Sequence, residues 1–337
     1  MKRNLGYSVT KLSGLILFAI ILVVSCTKQT EYTDPVPPKP PQNSISITLV
    51  CTGDIHEFSK NIAKLSTFIN QLRSREGSWV YLFMAGDFYL SPKHYDTWLC
   101  DDQKITGEAA DLKVPKEKDS LYYGLAMSDI IEYLRYDALV PGNHDWKYGT
   151  SALAAARYKD KLVACNVTEP KNLTRDFLTI YSEKGRFNIN VIGATFQNHL
   201  HKKNGDILTI HSIKTQTSER IINTSCKPGD INVLLTHLPD DDDLYALDNF
   251  STADKKPPFD VLFGGHSHLH FARIVNGAAY IKTGIAGNYV GICYLEWDTV
   301  KKVIVNKTVK QVCLEGYDPD PKMVDFINQL KEKYPHQ

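Results

Sequence analysis

The sequence predicts an α/β domain, in which strands and helices alternate before a second half that is richer in strands. A strand near residues 45–51 precedes a helical apolar pattern and a second buried strand that ends at Ala85. This strand–helix–strand order is typical of a βαβ unit. Asp54 and Asp87 follow the two strands closely. Ligands of such sheets collect beyond the carboxyl ends of the strands, so these acids indicate a site there.

The composition is that of a globular protein with balanced charge. Of the 337 residues, 43% are hydrophobic, and 39 basic residues stand against 38 acidic ones. Because there is no basic excess, no nucleic-acid partner is expected. Residues 44–337 are long enough for one domain with a large core.

The first 25 residues predict an export signal. Lys2 and Arg3 precede an apolar run, residues 15–24. The run is too short to cross a membrane core, which needs roughly 20 apolar residues. The ending Val23-Val24-Ser25-Cys26 resembles the lipobox of bacterial lipoproteins, which implies lipidation of Cys26. The alternative is an ordinary signal peptide followed by a chance cysteine.

The predicted domain organisation has three parts. Residues 1–25 form the lipoprotein signal peptide, 26–43 the lipidated cysteine and a proline-rich linker, and 44–337 the folded domain. The linker carries five prolines and no apolar periodicity, so we expect it to be extended. A lipid anchor would hold the exported domain at a membrane of the bacterial envelope, on its periplasmic or cell-surface face.

The remaining cysteines predict no particular disulfide and no zinc–thiolate site. No CxxC spacing occurs among them, although an exported chain permits disulfides. Cys51, Cys165 and Cys293 lie in apolar runs, where cysteine is often a small buried hydrophobe.

Further elements are predicted from the apolar patterns. The polar segment 92–119 is predicted to be an inserted loop near the site, with helices at about 121–134, 151–157 and 322–334. Strands are predicted at 137–140, 162–167, 177–181, 187–192, 207–210, 231–235, 261–263, 278–281 and 289–297.

Side chains that suit metal binding follow five of the predicted strands. They are Asp54 with His56, Asp87, Asn143 with His144, His237, and His266 with His268. Imidazole nitrogens combined with carboxylate oxygens suit Mn, Fe or Zn, whereas sites built only of oxygen suit Ca or Mg. One carboxylate can bridge two ions, and two divalent ions leave positive charge for a phosphate oxygen. The pattern predicts a two-metal site that cleaves phosphoesters.

These motifs resemble, in identity and order, those of the calcineurin-like metallophosphoesterases, and within that family the metal-binding domain of bacterial 5′-nucleotidases. The matching segments are Gly53-Asp54-Ile55-His56, Gly86-Asp87, Gly142-Asn143-His144-Asp145, Thr236-His237 and Gly265-His266-Ser267-His268. Tyr148-Gly149 and residues 284–291 are similar to the nucleotidase branch in particular. The resemblance implies a four-layer α/β/β/α sandwich, with two mixed sheets flanked by helices.

The resemblance also implies a role for each motif residue. The expected metal ligands are Asp54, His56 and His268 for one ion, Asn143, His237 and His266 for the other, and Asp87 as the bridge between them. His144 is expected to be catalytic, stabilising charge on the phosphate or protonating the leaving oxygen. A hydroxide that bridges the two metals is expected to attack phosphorus.

The sequence departs from the nucleotidase pattern in two respects. Lys147 stands where the nucleotidase branch has an acid that orients the central histidine. Asp145 is adjacent to His144 and is expected to give structural support rather than to replace that acid. In addition, no counterpart of the nucleoside-gripping C-terminal domain is expected, so base specificity does not carry over.

The sequence therefore predicts a membrane-tethered hydrolase of phosphomonoesters, with a phosphorylated small molecule such as a nucleotide as substrate. The alternatives are a phosphodiesterase, including the cyclic-nucleotide type, and a surface binding lipoprotein that has the fold without turnover. Outside the motifs, His199 and His201 are predicted to be solvated and His270 to lie on a strand surface. The acidic run 240–243 predicts an exposed helix start rather than a cation site.

Overall fold

The computed structural model describes residues 43–56, 60–76, 79–88, 117–148, 150–196, 208–250 and 256–334. The predicted signal peptide, Cys26, most of the inserted loop, His199 and His201 lie outside these residues, as does the side chain of Lys147. None of the helices within the described ranges is both long and apolar enough to cross a membrane.

The described residues form thirteen strands and six α-helices, which are numbered here in chain order. The strands are β1 (Ser44–Thr52), β2 (Val80–Ala85), β3 (Ala138–Val140), β4 (Val167–Glu169), β5 (Phe177–Tyr181), β6 (Asn188–Thr195), β7 (Thr209–Ile210), β8 (Ile231–His237), β9 (Val261–Gly264), β10 (His270–Val275), β11 (Ala278–Thr283), β12 (Tyr289–Asp298) and β13 (Val303–Cys313). The helices are α1 (Lys60–Glu76), α2 (Glu117–Leu134), α3 (Thr150–Ala155), α4 (Gln216–Ser225), α5 (Asp240–Asn249) and α6 (Pro321–Lys333).

Two large sheets form the centre of the molecule, and both are mixed. The first has the order β13-β12-β1-β2-β3, in which β1, β2 and β3 are parallel. The second has the order β10-β11-β9-β8-β6-β5, in which β6, β8, β9 and β11 are parallel. Strands β4 and β7 form a separate two-stranded sheet. The motif-bearing strands are therefore parallel within each sheet, and their carboxyl ends share one edge.

Side chains of the central strands alternate between two kinds of core. In β1, Leu49 and Cys51 lie in the core between the sheets, and Val50 lies in a second core with helices α1, α2 and α6. In β8, Leu235 faces the first sheet, and Leu234 packs with helices α4 and α5. This alternation follows from the two-residue period of a strand. Two helical layers thus enclose two sheets, and the predicted four-layer sandwich is confirmed.

Local sequence explains where the outer helices begin and end. Arg73 lies in the last turn of α1 and donates to the carbonyls of Leu134, at 2.8 Å, and Arg135, at 3.1 Å. It thereby satisfies the free carbonyl end of α2. Helix α6 begins with Pro321 after Asp320, whose side chain accepts from the Lys322 amide at 3.0 Å. Proline at the first helical position and an aspartate cap are typical helix starts.

One predicted strand is wrong. Residues 162–166 are buried but do not form a ladder, because Leu162 and Val163 make only isolated bridges, and only Val167 belongs to a strand, β4. The segment instead crosses close to β6, where the Cys165 amide donates to the Gly193 carbonyl at 2.8 Å. A Cβ on Gly193 would overlap the Val163 carbonyl. The apolar run therefore reflects this close packing rather than strand pairing.

The cysteines agree with the prediction that several are small buried side chains. Cys51, Cys165 and Cys293 are free and buried, and Cys226 is free and half-buried. Cys313 is disulfide-bonded, and the sequence did not predict this bridge.

Candidate active site

The two sheets meet at the edge where the five predicted motifs lie. The carboxylate of Asp54, after β1, accepts the backbone N–H of His266, after β9, at 3.0 and 3.1 Å. The Nδ1 atom of His237, at the end of β8, lies 2.8 Å from the carbonyl of Ala85, the last residue of β2. Each contact joins one sheet to the other, so the site forms only when both sheets are packed.

Asp87 is at the centre of this group. Its Oδ2 atom lies 3.3 Å from Nε2 of His237, 3.5 Å from Nε2 of His56 and 3.9 Å from Nε2 of His144. Its Oδ1 atom accepts the backbone N–H of His144 at 2.8 Å. One buried carboxylate therefore faces imidazoles from three different motifs.

Asn143 and Asp54 occupy the two flanks of Asp87. The Oδ1 atom of Asn143 lies 3.0 Å from Nε2 of His237 and 2.9 Å from Nδ1 of His266. On the other flank, Oδ1 of Asp54 lies 3.5 Å from Nε2 of His268 and 3.8 Å from Nε2 of His56. The structure thus brings all eight predicted site residues to one place.

The donor atoms fit divalent metal ions. Three sets of three side chains each have one candidate ligand atom apiece within 4.8 Å of one another, and Asp54, Asp87 and His56 each belong to two of them. The Nε2 atom of His56 is buried and has no hydrogen-bond partner. A buried polar atom without a partner is costly, so this lone pair indicates a ligand. Mixed imidazole and carboxylate donors suit Mn, Fe or Zn.

Burial and charge divide the site into an ion pair and a neutral histidine. Burial lowers the pKa of His56 to about 3, so its imidazole is neutral and able to bind metal at neutral pH. Burial is the largest single effect on both Asp87 and His237, and it opposes charge on each. The attraction and the hydrogen bond between them, together with the other polar groups of the site, outweigh burial, so the pKa of Asp87 is held below its usual range and the pKa of His237 is raised.

The backbone of the site is strained. Five site residues that are not glycine have positive φ, from 50° at Asp54 to 76° at His266. The other three are His56, Asp87 and His268. Side chains adopt this region rarely, and such strain concentrates at functional sites. Here it turns the chain directly after each strand, so that residues close in sequence point into one site.

Asp145 anchors the two turns that carry Asp87 and Asn143. Its side chain is fully buried and accepts the backbone N–H groups of Gly142 at 2.6 Å, Asp87 at 2.9 Å and Phe88 at 3.1 Å. A Cβ on Gly142 would overlap the Asp87 carboxylate, so only glycine allows this approach. These contacts agree with the predicted structural support from Asp145.

The prediction for the acidic run 240–243 is partly wrong. Helix α5 does begin at Asp240, but Asp243 is fully buried and pairs with Lys282 at 2.6 Å. The burial of Asp243 and its ion pair with Lys282 were not predicted. Phe196 was also not singled out, and its ring lies 4.7 Å from that of His266. His270 lies on the exposed surface of β10, as predicted.

The chain belongs to the calcineurin-like phosphoesterase family, whose sequence model matches residues 47–270. The family is metal-dependent, and the chain is a phosphoester hydrolase. No curated protein sequence matches the chain.

Several solved structures share this fold. The calcineurin-like phosphoesterase YfkN from Bacillus subtilis is 16% identical, with a TM-score of 0.65 over 86% of this chain and 98% of that chain. A 5′-nucleotidase precursor from Thermus thermophilus is 18% identical, with a TM-score of 0.64 over 86% of this chain and 59% of that chain. The NAD nucleotidase of Haemophilus influenzae is 13% identical, with a TM-score of 0.60 over 87% of this chain and 60% of that chain.

The chain therefore spans 59% and 60% of the lengths of the two nucleotidases. At these identities the likeness concerns the fold.

Proposed function

We propose that this chain is a two-metal phosphomonoesterase of the 5′-nucleotidase type. The observation that carries the proposal is the position of Asp87, whose Oδ2 atom lies within 3.9 Å of the imidazoles of His56, His144 and His237. A single carboxylate among donors from both sheets is the arrangement that a bridging ligand requires.

The proposed ligands divide into two sets around Asp87. The sets are Asp54, His56 and His268 for one ion, and Asn143, His237 and His266 for the other. Two such ions supply Lewis-acid activation of water and neutralise charge on the phosphate. Asp145 holds the turns of both motifs at fixed distance, so the ligand atoms are arranged before metal binds.

His144 is the proposed catalytic residue, and its imidazole is open to solvent. Its side chain is 35% exposed, whereas the side chains of Asp87 and His237 are 2% and 0% exposed, and that of the proposed ligand His268 is 45% exposed. Hydrolysis forms a bond from phosphorus to a water oxygen and breaks the bond to the leaving oxygen, which must gain a proton. The exposed imidazole of His144 can supply that proton or a hydrogen bond to the phosphate.

The proposed substrate is a phosphorylated small molecule, with a nucleotide as the leading candidate. Support comes from the fold likeness to the two proteins named as nucleotidases. A phosphodiesterase, including the cyclic-nucleotide type, uses the same ligand set and is the second candidate. The two candidate functions are distinguished by measuring hydrolysis by the full chain with added Mn²⁺, Fe²⁺ or Zn²⁺. The substrates are the monoester p-nitrophenyl phosphate, the diester bis-p-nitrophenyl phosphate and a panel of nucleotides.

The phosphomonoesterase proposal is supported if the monoester and a nucleotide are hydrolysed faster than the diester. Faster hydrolysis of the diester favours the phosphodiesterase. A protein that binds two metal ions and hydrolyses none of these compounds would contradict both.

We also propose that the chain is exported and anchored to a membrane through lipidated Cys26. The support is the sequence of residues 1–43, with its basic start, apolar run, lipobox-like ending and proline-rich linker. Cys26→Ala should move the protein from the membrane fraction to the soluble fraction. An equal share of wild type and variant in the membrane fraction would contradict the anchor.

A further inference from the structure

Lys282 is a fully buried lysine directly behind the candidate active site. It lies in β11, next to β9, and its side chain is 1% exposed. A buried ammonium is costly unless charge and hydrogen bonds compensate it. The groups that contact the Lys282 ammonium therefore indicate its role.

The ammonium contacts four acceptors on three segments. It forms ion pairs with Asp243 at 2.6 Å and Asp240 at 3.0 Å, both in α5. It also donates to the carbonyls of Gly265 at 2.8 Å and Leu238 at 3.3 Å. The two carbonyls accept hydrogen bonds from the ammonium, and the two carboxylates balance its charge.

The two carbonyls adjoin proposed ligands of the same metal ion. Gly265 immediately precedes His266, and Leu238 immediately follows His237. Asp243 makes a second contact with the segment of His237 and Leu238, because its Oδ1 atom accepts a hydrogen bond from the hydroxyl of Thr236 at 2.7 Å. Lys282 and Asp243 thus contact the segment that carries His237, and Lys282 also contacts the segment that carries His266.

The neighbouring strand leaves room for the cluster of Lys282 and Asp243. A Cβ on Gly264 would lie 2.6 Å from Oδ2 of Asp243 and 3.1 Å from Nζ of Lys282. Any side chain at this position would displace the ion pair. The close approach of the β9 backbone is therefore part of the same arrangement.

We propose that Lys282 is a positioning residue for the metal ion assigned to Asn143, His237 and His266. By holding the Leu238 and Gly265 carbonyls at one point, it fixes the spacing of the two imidazoles that bind this ion. The inference rests on the proposed two-metal function. Lys282 does not touch substrate, because its side chain is buried and its ammonium is paired within the protein.

The test compares two lysine substitutions. Lys282→Met alone would leave Asp243 buried without its partner, so the test variant is Lys282→Met with Asp243→Asn, which leaves the net charge of the cluster unchanged. The control is Lys307→Met. Lys307 also donates to two carbonyls, those of Asp260 at 2.6 Å and Gly277 at 3.0 Å, but at the opposite edge of the second sheet.

Metal-free full-length proteins are titrated with Mn²⁺, and bound metal is followed by electron paramagnetic resonance. Wild type and Lys307→Met should bind two ions and show the signal of a spin-coupled pair. In the double variant, the dissociation constant of one ion should rise by about 10- to 100-fold, as for other residues that support metal ligands. The coupled signal should weaken accordingly, while the other ion stays bound.

The possible results separate the two proposals. If wild type binds two ions and the double variant binds both with unchanged constants, the role of Lys282 is wrong and the two-metal proposal stands. If wild type binds fewer than two ions, both proposals fail. If the double variant yields too little folded protein, Lys282→Arg decides, because it keeps the charge while the larger guanidinium cannot take the position of the ammonium between the two carbonyls. Unchanged constants for both ions in Lys282→Arg would also overturn the inference.

Discussion

The two polar edges of the sandwich use their buried polar atoms in opposite ways. At the amino ends of β6 and β8, the side chain of Asn190 is buried and completely paired. Its amide nitrogen donates to Asp230 at 3.1 Å and Asn232 at 3.2 Å, and its oxygen accepts from Thr179 at 2.8 Å. At the carboxyl ends, Nε2 of His56 is buried without a hydrogen-bond partner.

The difference indicates that the polar groups of the amino edge stabilise the fold, whereas those of the carboxyl edge are available to bind a ligand. Polar groups that pair with one another contribute to folding, whereas buried donor atoms left without partners destabilise the protein until a ligand completes them. Substitutions at the carboxyl edge should therefore change metal binding and turnover. Substitutions at the amino edge should change stability alone.

The largest effect is expected at the centre of the carboxyl edge. Asp87→Asn removes the charge that faces three imidazoles, so metal and activity should be lost together. We expect kcat/KM to fall by about 10³-fold or more, beyond the loss typical of one electrostatic contact. Metal analysis and kinetics of the purified variant measure both. A variant that retains two ions with normal turnover would remove Asp87 from the centre of the site.

The next effect separates chemistry from metal binding. His144→Ala should lower kcat by about 10²- to 10³-fold and leave the metal content unchanged, because the exposed imidazole is proposed to meet the substrate. His144 also lies 3.9 Å from Asp87, so a ligand role is geometrically available to it. Loss of an ion from this variant would show that His144 is a ligand.

A smaller effect on activity is expected at Asp145, which supports the site from behind. Asp145→Asn keeps only one acceptor oxygen, so it cannot accept all three backbone N–H groups that the carboxylate accepts. The free energy of unfolding should fall by about 2–5 kcal/mol, and metal affinity by about 10-fold. Denaturant unfolding and metal titration measure the two quantities. Unchanged stability would mean that the turns are held by other contacts.

The smallest effect on activity is expected at the amino edge. Asn190→Ala should lower the free energy of unfolding by about 1–3 kcal/mol, because Asp230 and Asn232 each lose a partner. Its kcat/KM per folded molecule should stay within about twofold of wild type, since the site is at the other edge. A larger fall in kcat/KM would contradict the separation of the two edges.

Local patterns in the sequence were sufficient to predict most of the fold and the residues that come together at the candidate site. The strands that end before Asp54, Asp87 and Asn143 are continuous buried runs, so both their type and their carboxyl ends could be predicted. The residues of the site then follow within a few positions. The edge strand β13 was missed, because its half-exposed, lysine-containing sequence has no regular apolar alternation.

Support for the site could not be predicted, since it depends on pairs that are distant in sequence. Asp243 begins a helix in an acidic run, and nothing local to it indicates that Lys282 lies opposite. Likewise, the Asp145 side chain serves amides that belong mainly to a different strand end. The role of Lys147 stays a prediction, because its side chain lies outside the described residues.

The left-handed backbone at Asp54, His56, Asp87, His266 and His268 has a consequence for protein engineering. Each such residue costs on the order of 1–3 kcal/mol, and glycine would adopt the same conformation without that cost. Selection for heat resistance alone would therefore favour glycine at the proposed metal-binding positions. A thermostable variant obtained in that way would keep the sandwich and lose the enzyme, so any such screen must include turnover.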